Sequence, residues 1–548
     1  MANYVIGLDY GTLSVRALLV NAKTGEELAT SVYEYPHGVI DKELPFGTPL
    51  EADYALQHPE DYVRGLTHTI NEVLHLSGIN RKDISGVGVD FTACTMIPVR
   101  EDGTPLCYLE EFKSDPESYV KLWKHHAAQN QADRINAVAI ERNEPWLSRY
   151  GGKVNSEWEL PKIMEVYYKS SKVYNSMRYY AEAADWIVWM MTGRYVRNAC
   201  AAGYKGLWNK KDGYPGKDFF RALDKGLENV IEEKFDAEVL PLGRIAGYID
   251  AKGAELTGLT EGTAVAVPII DAHAALPAAK IKDKGKLLAI IGTSACHIVL
   301  GEDKPIKGIS GVVEDGILPG YFAYEAGQAA SGDILEWAVA NIVPDNYQAE
   351  ALKRGIGIYR LLDEKGEMLS AGESGLLSLD WFNGNRSILS DSDLTGAIIG
   401  LKLTTKPEEI YRCFVEGTAF GTRIIVENFI NNGVEIDEII AAGGIADKSP
   451  FIMQIYSDIL NMPIKIAGSS QSGALGSAIF ASVAAGAEKG GYDDIREAID
   501  NMGRLKDVVY YPKKENTLIY NQLFEEYKTL HNYFGRECIM KRLKKIGR

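Results

Sequence analysis

Apolar and polar positions alternate at the start of the chain. The alternation covers residues 4–9 and 14–20, and a third run of this kind ends at residue 35. Short turns rich in glycine and polar residues separate the three runs. A period of two is typical of a strand with one buried face. The opening therefore predicts an antiparallel meander of three strands.

A similar unit occurs near the middle of the chain. Residues 285–291 are apolar, Gly292, Thr293 and Ser294 follow as a turn, and residues 295–300 resume the strand pattern. Both hairpins have a glycine followed by a threonine at the turn. Because one unit occurs twice, we predict two related halves that face each other.

Helical and strand-like segments alternate in the rest of the chain, which predicts an α/β protein. The sequence domains are predicted as 1–272 and 273–548, with a hinge at 260–285. The predicted segments are helices at 59–76, 118–138, 407–430, 450–460 and 473–485, strands at 84–90 and 438–442, and an amphipathic helical tail at 515–545.

Composition narrows the choice of partners. The 548 residues include 59 Lys and Arg against 75 Asp and Glu, a net charge of −16, which disfavours nucleic acid and anionic lipid. Its 6 cysteines form no Cys-x-x-Cys pair, so neither zinc ribbon nor disulfide framework is expected. The N-terminus does not resemble a signal peptide, and Pro and Asp interrupt the most apolar run, 263–279. We expect a cytoplasmic protein without membrane segments.

The first turn is a candidate phosphate loop. An acid, Asp9, ends the first strand, and Gly11, Thr12 and Ser14 follow. Glycine lets the backbone approach a phosphate closely, and the hydroxyls add donors, while Asp9 could hold Mg²⁺ through water. The alternative is an ordinary hairpin turn with an exposed acid.

Two further turns suit a nucleotide. Gly292, Thr293 and Ser294 have the same chemistry as the first turn without the acid, and a pair of such turns could clamp a polyphosphate. Gly443 and Gly444 follow a predicted strand, and backbone without side chains lets an adenine lie close. Ordinary turns remain the alternative for each, and no P-loop lysine motif or Gly-x-Gly-x-x-Gly turn occurs.

Asp271 is the candidate general base. It ends an apolar run at the suspected hinge, and small residues flank it. A carboxylate there could accept the proton of a hydroxyl that attacks a γ-phosphate. Alternatively, Asp271 is a helix N-cap.

These motifs together resemble the FGGY carbohydrate kinases of the actin-like ATPase superfamily. Residues 7–16, which include Arg16, are similar to the family's first phosphate loop, 290–296 to its second, and Gly443-Gly444 to its adenosine turn. The second-half signature near residues 396–416 departs from the pattern at Cys413. The resemblance implies two actin-like (ribonuclease H-like) domains with a cleft between them, ATP and Mg²⁺ as cofactors, and Asp271 as catalytic base.

The resemblance also suggests a sugar. Residues 90–93 and 325–333 are similar to the ribulokinase group of the family, which implies L-ribulose as acceptor, with Ala93, Lys205, Asp271 and Glu325 at the sugar. A surface lysine and a buried ion-pair acid remain the alternatives for Lys205 and Glu325. A kinase for another ketopentose or pentitol, or an actin-like or chaperone-type ATPase, also remains open. A homodimer is possible.

Overall fold

The computed structural model describes residues 3–546 and combines helices with strands along the whole of that range. The α/β prediction is confirmed. The strands are β1 Tyr4–Tyr10, β2 Ser14–Asn21, β3 Glu27–Glu34, β4 Leu56–Gln57, β5 Ile84–Phe91, β6 Met96–Val99, β7 Val120–Lys121, β8 Tyr179–Glu182, β9 Arg197–Asn198, β10 Val239–Leu240, β11 Ile245–Tyr248, β12 Ala264–Ala266, β13 Ile269–Ile270, β14 Gly285–Ile291, β15 Ala295–Gly301, β16 Gly311–Glu314, β17 Phe322–Gln328, β18 Leu377–Leu379, β19 Ala397–Ile399, β20 Ile436–Ala442, β21 Ile464–Ala467 and β22 Leu505–Tyr510.

The helices range from single turns to seven turns. They are α1 Pro59–Ser77, α2 Gln129–Glu141, α3 Glu159–Lys169, α4 Ser171–Ser176, α5 Ala183–Thr192, α6 Ala199–Lys205, α7 Lys217–Leu223, α8 Val230–Lys234, α9 Ala251–Thr257, α10 Asp271–Ala278, α11 Gly332–Asn341, α12 Asp345–Arg354, α13 Ile358–Glu367, α14 Pro407–Asn431, α15 Gly444–Lys448, α16 Pro450–Leu460, α17 Ser472–Ala485, α18 Ile495–Met502, α19 Lys514–Arg536 and α20 Ile539–Ile546.

The chain forms two compact units that are not continuous in sequence. The first unit combines residues 1–282, 312–323 and 471–504, and the second combines 283–311, 324–470 and 505–548. The predicted sequence domains, 1–272 and 273–548, stay a prediction, since a division by spatial contacts need not follow the order of the chain.

The main sheet of the first unit contains the predicted meander. Its strands pair in the order β11-β12-β5-β1-β2-β3, and β13 pairs with β5. The β1–β2 and β2–β3 pairs are antiparallel, which confirms the meander, while β1 and β5 are parallel. Every residue of β5 is buried, as expected for a strand between two neighbours in a sheet covered on both faces.

The second unit repeats this arrangement. Six of its strands pair in the order β17-β15-β14-β20-β21-β22. Its β14–β15 hairpin is antiparallel, and β14 pairs with β20 in parallel. In each sheet, therefore, a hairpin lies beside a parallel strand, and the hairpin turns fall at the positions that the sequence predicts.

Helix α17 packs on the first sheet with almost no side chain between the two backbones. A methyl group built on Gly7 of β1 would overlap the carbonyl oxygen of Ala474, and one built on Gly88 of β5 would overlap that of Ser477. On the helix itself, a methyl group at Gly476 would overlap the carbonyl oxygen of Ala274 in α10. Glycine at these positions lets helix and sheet approach each other closely.

Two helix predictions are partly wrong. Residues 118–138 do not form one helix, because Val120–Lys121 is a strand that pairs with β4 and β6, and the helix begins at Gln129. Tertiary pairing here overrides local helical preference. The C-terminal tail is two helices, α19 and α20, with a break after Arg536.

Within residues 3–546, none of the helices combines the length and the apolar character that spanning a bilayer requires.

Replacing Gly88 with Ala should destabilise the protein strongly, since the added methyl group overlaps backbone that cannot move without shifting α17. We expect a loss of about 3 kcal/mol, measured as a lower urea midpoint. Gly357→Ser is the matched control, because Gly357 is a helix N-cap with φ −72 and no atom within 4 Å of an added Cβ. Equal midpoints for the two variants would contradict the close packing of α17.

Candidate active site

Three carboxylates gather where β1, β5 and β13 end in the first unit. Asp9 of β1 lies opposite Asp90 of β5 in the parallel register, and Ile269 of β13 lies opposite Asp90 on the other side. Asp271 follows two residues later. Burial raises the pKa of Asp90 well above its usual range, and the negative charges of Asp9 and Asp271 raise it further. The structure thus brings Asp9 and Asp271 together around Asp90.

The start of α17 completes this group of acids. Ser477 Oγ donates a hydrogen bond of 2.7 Å to Asp90 Oδ2. A methyl group on Gly473 would come within 3.2 Å of Asp90 Oδ1 and 3.4 Å of the Asp9 carboxyl carbon. Sequence reasoning missed Asp90 as a site residue. Its position at the end of a strand, in register with Asp9, was the available signal.

Asp271 is the first residue of α10 and therefore does not occupy the N-cap position. The N-cap position belongs to Ile270, whose side chain accepts no hydrogen bond. Asp271 Oδ1 accepts a 2.7 Å hydrogen bond from the backbone N–H of Ala272, and the residue is half-buried. The carboxylate is therefore oriented by its own helix and remains partly accessible to solvent.

The first turn, between β1 and β2, is tightly closed. The N–H of Gly11 donates to the carbonyl oxygen of Ser14 at 2.9 Å. Gln57 Nε2 donates to the carbonyl oxygen of Thr12 at 2.7 Å, and Trp123 Nε1 donates to Thr12 Oγ1 at 3.0 Å. Because the Thr12 hydroxyl oxygen is an acceptor in this contact, its proton can point elsewhere, for example to a phosphate oxygen.

Arg16 pairs with the acid at the end of β1. Its Nη1 lies 3.3 Å from Asp9 Oδ2, and the two residues face each other across the β1–β2 hairpin. The guanidinium is 43% exposed, so it has solvent on one side and a carboxylate on the other. Such a group can bind an anion that arrives from solvent.

The second turn, between β14 and β15, lies in the second unit. Gly292 N–H donates to Ser294 O at 2.9 Å, and Thr293 O accepts from Ser331 N–H at 2.8 Å. A Cβ on Gly332 would come within 2.6 Å of Gly292 O. The start of α11 therefore packs directly on this turn, while Thr293 is exposed.

The double glycine follows β20. Gly443 has φ 94, and a Cβ there would come within 2.6 Å of Ile291 O, so only glycine fits without strain. Gly444 begins α15 and has no atom within 4 Å of an added Cβ. This turn has open space beside a bare backbone, which is what a flat ring requires.

The candidate sugar residues occupy both units. In the first unit, Ala93 is half-buried just after β5, and Lys205 ends α6 with its Nζ 5.7 Å from the ring centroid of Trp158. Burial raises the pKa of the Cys94 thiol, and the charge of Lys205 is among the influences that lower it. The charge of Lys205 therefore influences the thiol of Cys94, the residue next to Ala93.

Glu325 is half-buried on β17, and its carbonyl oxygen accepts a hydrogen bond from Ser310 N–H.

Asp9 is the candidate magnesium ligand, and its surroundings fit that ion. Within residues 3–546, no group of three His, Cys, Asp or Glu side chains is arranged to hold a metal. Mg²⁺ usually keeps several waters and takes only one or two protein carboxylates together with substrate phosphates. Asp9 lies just before the first turn, and its side chain is 16% exposed. It can therefore supply the single protein carboxylate that such a magnesium ion requires.

Comparison with protein families decides the class of the protein. Residues 4–277 match the N-terminal domain of the FGGY family of carbohydrate kinases, and residues 287–485 match its C-terminal domain. The chain belongs to the FGGY carbohydrate kinase family. This membership makes the protein an ATP-dependent sugar kinase.

Curated relatives of this FGGY kinase align over nearly its full length. The ribulokinase of Bacillus licheniformis is 55% identical over 537 residues, which cover 97% of each chain. That of Geobacillus thermodenitrificans is 52% identical over 545 residues, 99% of this chain and 96% of the relative.

Solved structures show the same fold. The xylulose kinase of Rhodospirillum rubrum superimposes with a TM-score of 0.79 at 21% identity, covering 97% of this chain and 99% of that one. The xylulose kinase of Lactobacillus acidophilus gives 0.80 at 18% identity, covering 98% and 99%. The expected two-domain, actin-like fold of this FGGY kinase is confirmed.

A second group of buried charges lies in the first unit, and sequence reasoning missed it as well. Arg197 Nη2 donates to Glu159 Oε2 at 2.6 Å, and Asp185 Oδ1 accepts from both the backbone and the side chain of Asn198. Burial raises the pKa of Asp185 to about 7 even though Arg197 acts to lower it. Asp185 therefore binds its proton more tightly in the folded kinase than in the unfolded chain.

Asp185→Asn should flatten the pH dependence of stability. The unfolded carboxyl titrates near 3.8 and the folded one near 7, so the folded kinase holds the extra proton in that window and wild-type stability falls as pH rises through it. The full difference is about 4 kcal/mol. Asn keeps the acceptor oxygen without the titration. Urea unfolding at pH 5 and pH 8 tests this, and parallel pH dependences for variant and wild type would contradict it.

Proposed function

We propose that this protein transfers the γ-phosphoryl group of ATP to the terminal hydroxyl of L-ribulose and releases ADP and L-ribulose 5-phosphate. The observation that carries the proposal is the 55% identity over 97% of the chain with a protein named ribulokinase. Identity at this level extends over both FGGY domains.

The two glycine turns are assigned to the phosphates of ATP. In the first turn, Thr12 and Ser14 offer hydroxyl donors and Arg16 offers a cation, while the N–H of Gly11 already donates to Ser14 O. In the second unit, Thr293 and Ser294 offer the same hydroxyl donors, and the N–H of Gly292 donates to Ser294 O. Glycine leaves each turn without a side chain at one point, so a phosphate can approach the backbone closely there.

The adenosine is assigned to the turn after β20. Gly443 and Gly444 leave the backbone bare there, and open space lies beside Gly444. A flat base can contact such a backbone closely.

Asp271 is assigned as the general base. Its carboxylate accepts the proton of the terminal hydroxyl while the sugar oxygen forms a bond to the γ-phosphorus. The bond between that phosphorus and the β,γ-bridging oxygen breaks, and ADP leaves with the electron pair. The hydrogen bond from Ala272 N–H holds the carboxylate in one orientation, so that little reorganisation is needed.

Mg²⁺ bound with ATP would offset negative charge on the phosphates. Asp9, at the end of β1, would hold that ion together with water. Asp90 lies beside Asp9, and burial together with the negative charge of Asp9 raises its pKa well above the usual range.

The sugar is assigned to Ala93, Lys205 and Glu325. Ala93 is small and leaves room after β5. Lys205 offers a charged donor and Glu325 a charged acceptor, and charged hydrogen bonds to hydroxyls are strong where water is excluded. Another ketopentose or a pentitol remains the second candidate for the acceptor, because a few pocket residues redirect specificity within one fold.

Asp271→Asn should keep nucleotide binding and lose turnover. Asn is nearly the same size but cannot take the proton, so we expect kcat to fall by about a thousandfold, measured by coupled ADP release, while titration with ATP gives an unchanged Kd. Asp345→Asn is the matched control, since Asp345 is also the first residue of a helix, α12. More than about a tenth of wild-type kcat in Asp271→Asn would overturn the role as base.

Wild-type protein should prefer L-ribulose in the same assay. We expect the highest kcat/KM for L-ribulose among L-ribulose, D-ribulose, D-xylulose, ribitol and glycerol, and slow ADP release without sugar, because a kinase site that excludes water protects ATP from hydrolysis. A higher kcat/KM for another sugar would overturn the assignment of the acceptor. Fast ADP release that no sugar stimulates would overturn the kinase reaction itself.

A further inference from the structure

The turn that carries Ala93 has an unusual backbone. Cys94, the next residue, has φ 53, in the left-handed region that residues with a Cβ rarely adopt. Its side chain is buried, at 2% exposure. A residue stays in such a conformation only where its surroundings hold it there.

Two buried side chains hold Cys94, one at each end of its backbone. Lys162 Nζ of α3 donates to Cys94 O at 2.6 Å, and Glu182 Oε1, at the end of β8, accepts from Cys94 N–H at 3.1 Å. Both side chains are buried, Lys162 at 0% and Glu182 at 1% exposure. The bond from the Lys162 ammonium is charge-assisted and therefore stronger than a neutral one, whereas burial, together with the negative charges of Glu159 and Asp185, raises the pKa of Glu182 well above its usual range.

Further hydrogen bonds connect the same turn to its neighbours. The hydroxyls of Thr92 and Thr95 lie 2.7 Å apart across it, and Thr92 N–H donates to Tyr10 O of β1 at 3.1 Å. Lys162 Nζ makes a second bond, of 2.8 Å, to Leu122 O. The turn is thereby fixed relative to β1 and to the segment that contains Trp123.

Burial of the Lys162 ammonium lowers the stability of the fold, so stability by itself does not explain why a lysine is at this position. Burial of a lysine is unfavourable, and burial lowers the pKa of Lys162 to about 8. Lys234 provides a comparison within the same molecule. It is also buried, and its Nζ donates to the carbonyl oxygens of Tyr174 and Met177. Burial lowers its pKa as well. Lys234 contacts no candidate site residue through these bonds, whereas Lys162 holds the residue next to Ala93.

We propose that Lys162 and Glu182 are positioning residues for the sugar: they clamp the backbone of Cys94 from both sides and thereby fix the place of Ala93. The inference rests on the proposed function, because Ala93 faces the sugar only if the acceptor is assigned correctly. Loss of either side of the clamp lets the turn relax from its left-handed conformation. Sugar binding then weakens, while nucleotide binding at the glycine turns is unaffected.

The first test compares Lys162→Met with the matched control Lys234→Met. Each variant loses a buried ammonium that donates to two carbonyl oxygens, so a general loss of stability affects both. We expect KM for L-ribulose to rise about tenfold or more in Lys162→Met and KM for ATP to change less than about twofold. In Lys234→Met both KM values should stay near those of wild type. Equal effects in the two variants, or a parallel rise in both KM values, would overturn the proposal.

The second test uses Glu182 and remains decisive if Lys162→Met fails to fold. Glu182→Met removes the acceptor for Cys94 N–H, whereas Glu182→Gln keeps an oxygen in its place. We expect KM for L-ribulose to rise in Glu182→Met and to lie much closer to wild type in Glu182→Gln. The same KM in both variants would contradict the clamp.

Hydrogen–deuterium exchange separates this inference from the proposed function. A peptide that spans residues 90–98 should exchange faster in Lys162→Met and Glu182→Met than in wild type and Lys234→Met, because its amides lose protection. Wild-type protein that does not use L-ribulose would refute the proposed acceptor, and the exchange data would still decide the clamp. Unchanged exchange in both variants would overturn it.

Discussion

The first unit depends on a close approach between backbones. Helix α17 lies against β1, β5 and α10 with glycine at the points of contact, so main chain meets main chain where side chains usually intervene. This contact brings Ser477 into hydrogen-bond distance of Asp90 and Gly473 next to Asp9 and Asp90. Asp9 and Asp90 are therefore close to α17 because glycine, which has no side chain, occupies the contact points between that helix and the two strands.

Buried ionisable side chains perform a different task in the same unit. Lys162, Glu182 and Arg197 are each about 1% exposed or less, and each is bonded to backbone or to another charge. A hydrophobic residue of similar volume often serves stability as well as a buried ion pair does. What a hydrophobic residue cannot do is hold a carbonyl oxygen or an N–H in one place, and the turn after β5 requires both.

Sequence patterns predicted the parts of the molecule that local rules determine. The meander β1–β3, the hairpin β14–β15 and the α/β class follow from period-two alternation and glycine turns, and the candidate residues Asp9 and Asp271 stand at strand ends where such patterns stop. The role of Asp90, the clamp at Cys94 and the strand at Val120–Lys121 were missed. Their partners are remote in the chain: 68 residues separate Lys162 from Cys94 and 88 separate Glu182 from it, and no local pattern records a contact over that distance.

The return of residues 471–504 to the first unit has a consequence for synthesis. A ribosome makes the chain from its N-terminus, and domains generally fold as units once their residues have emerged. Here β1 and β5 are among the first elements made, yet the helix that covers them ends at Ala485. Until that helix emerges, the apolar face of the sheet that it covers is unfinished, so the first unit completes its fold only after the ribosome has made the chain up to Ala485.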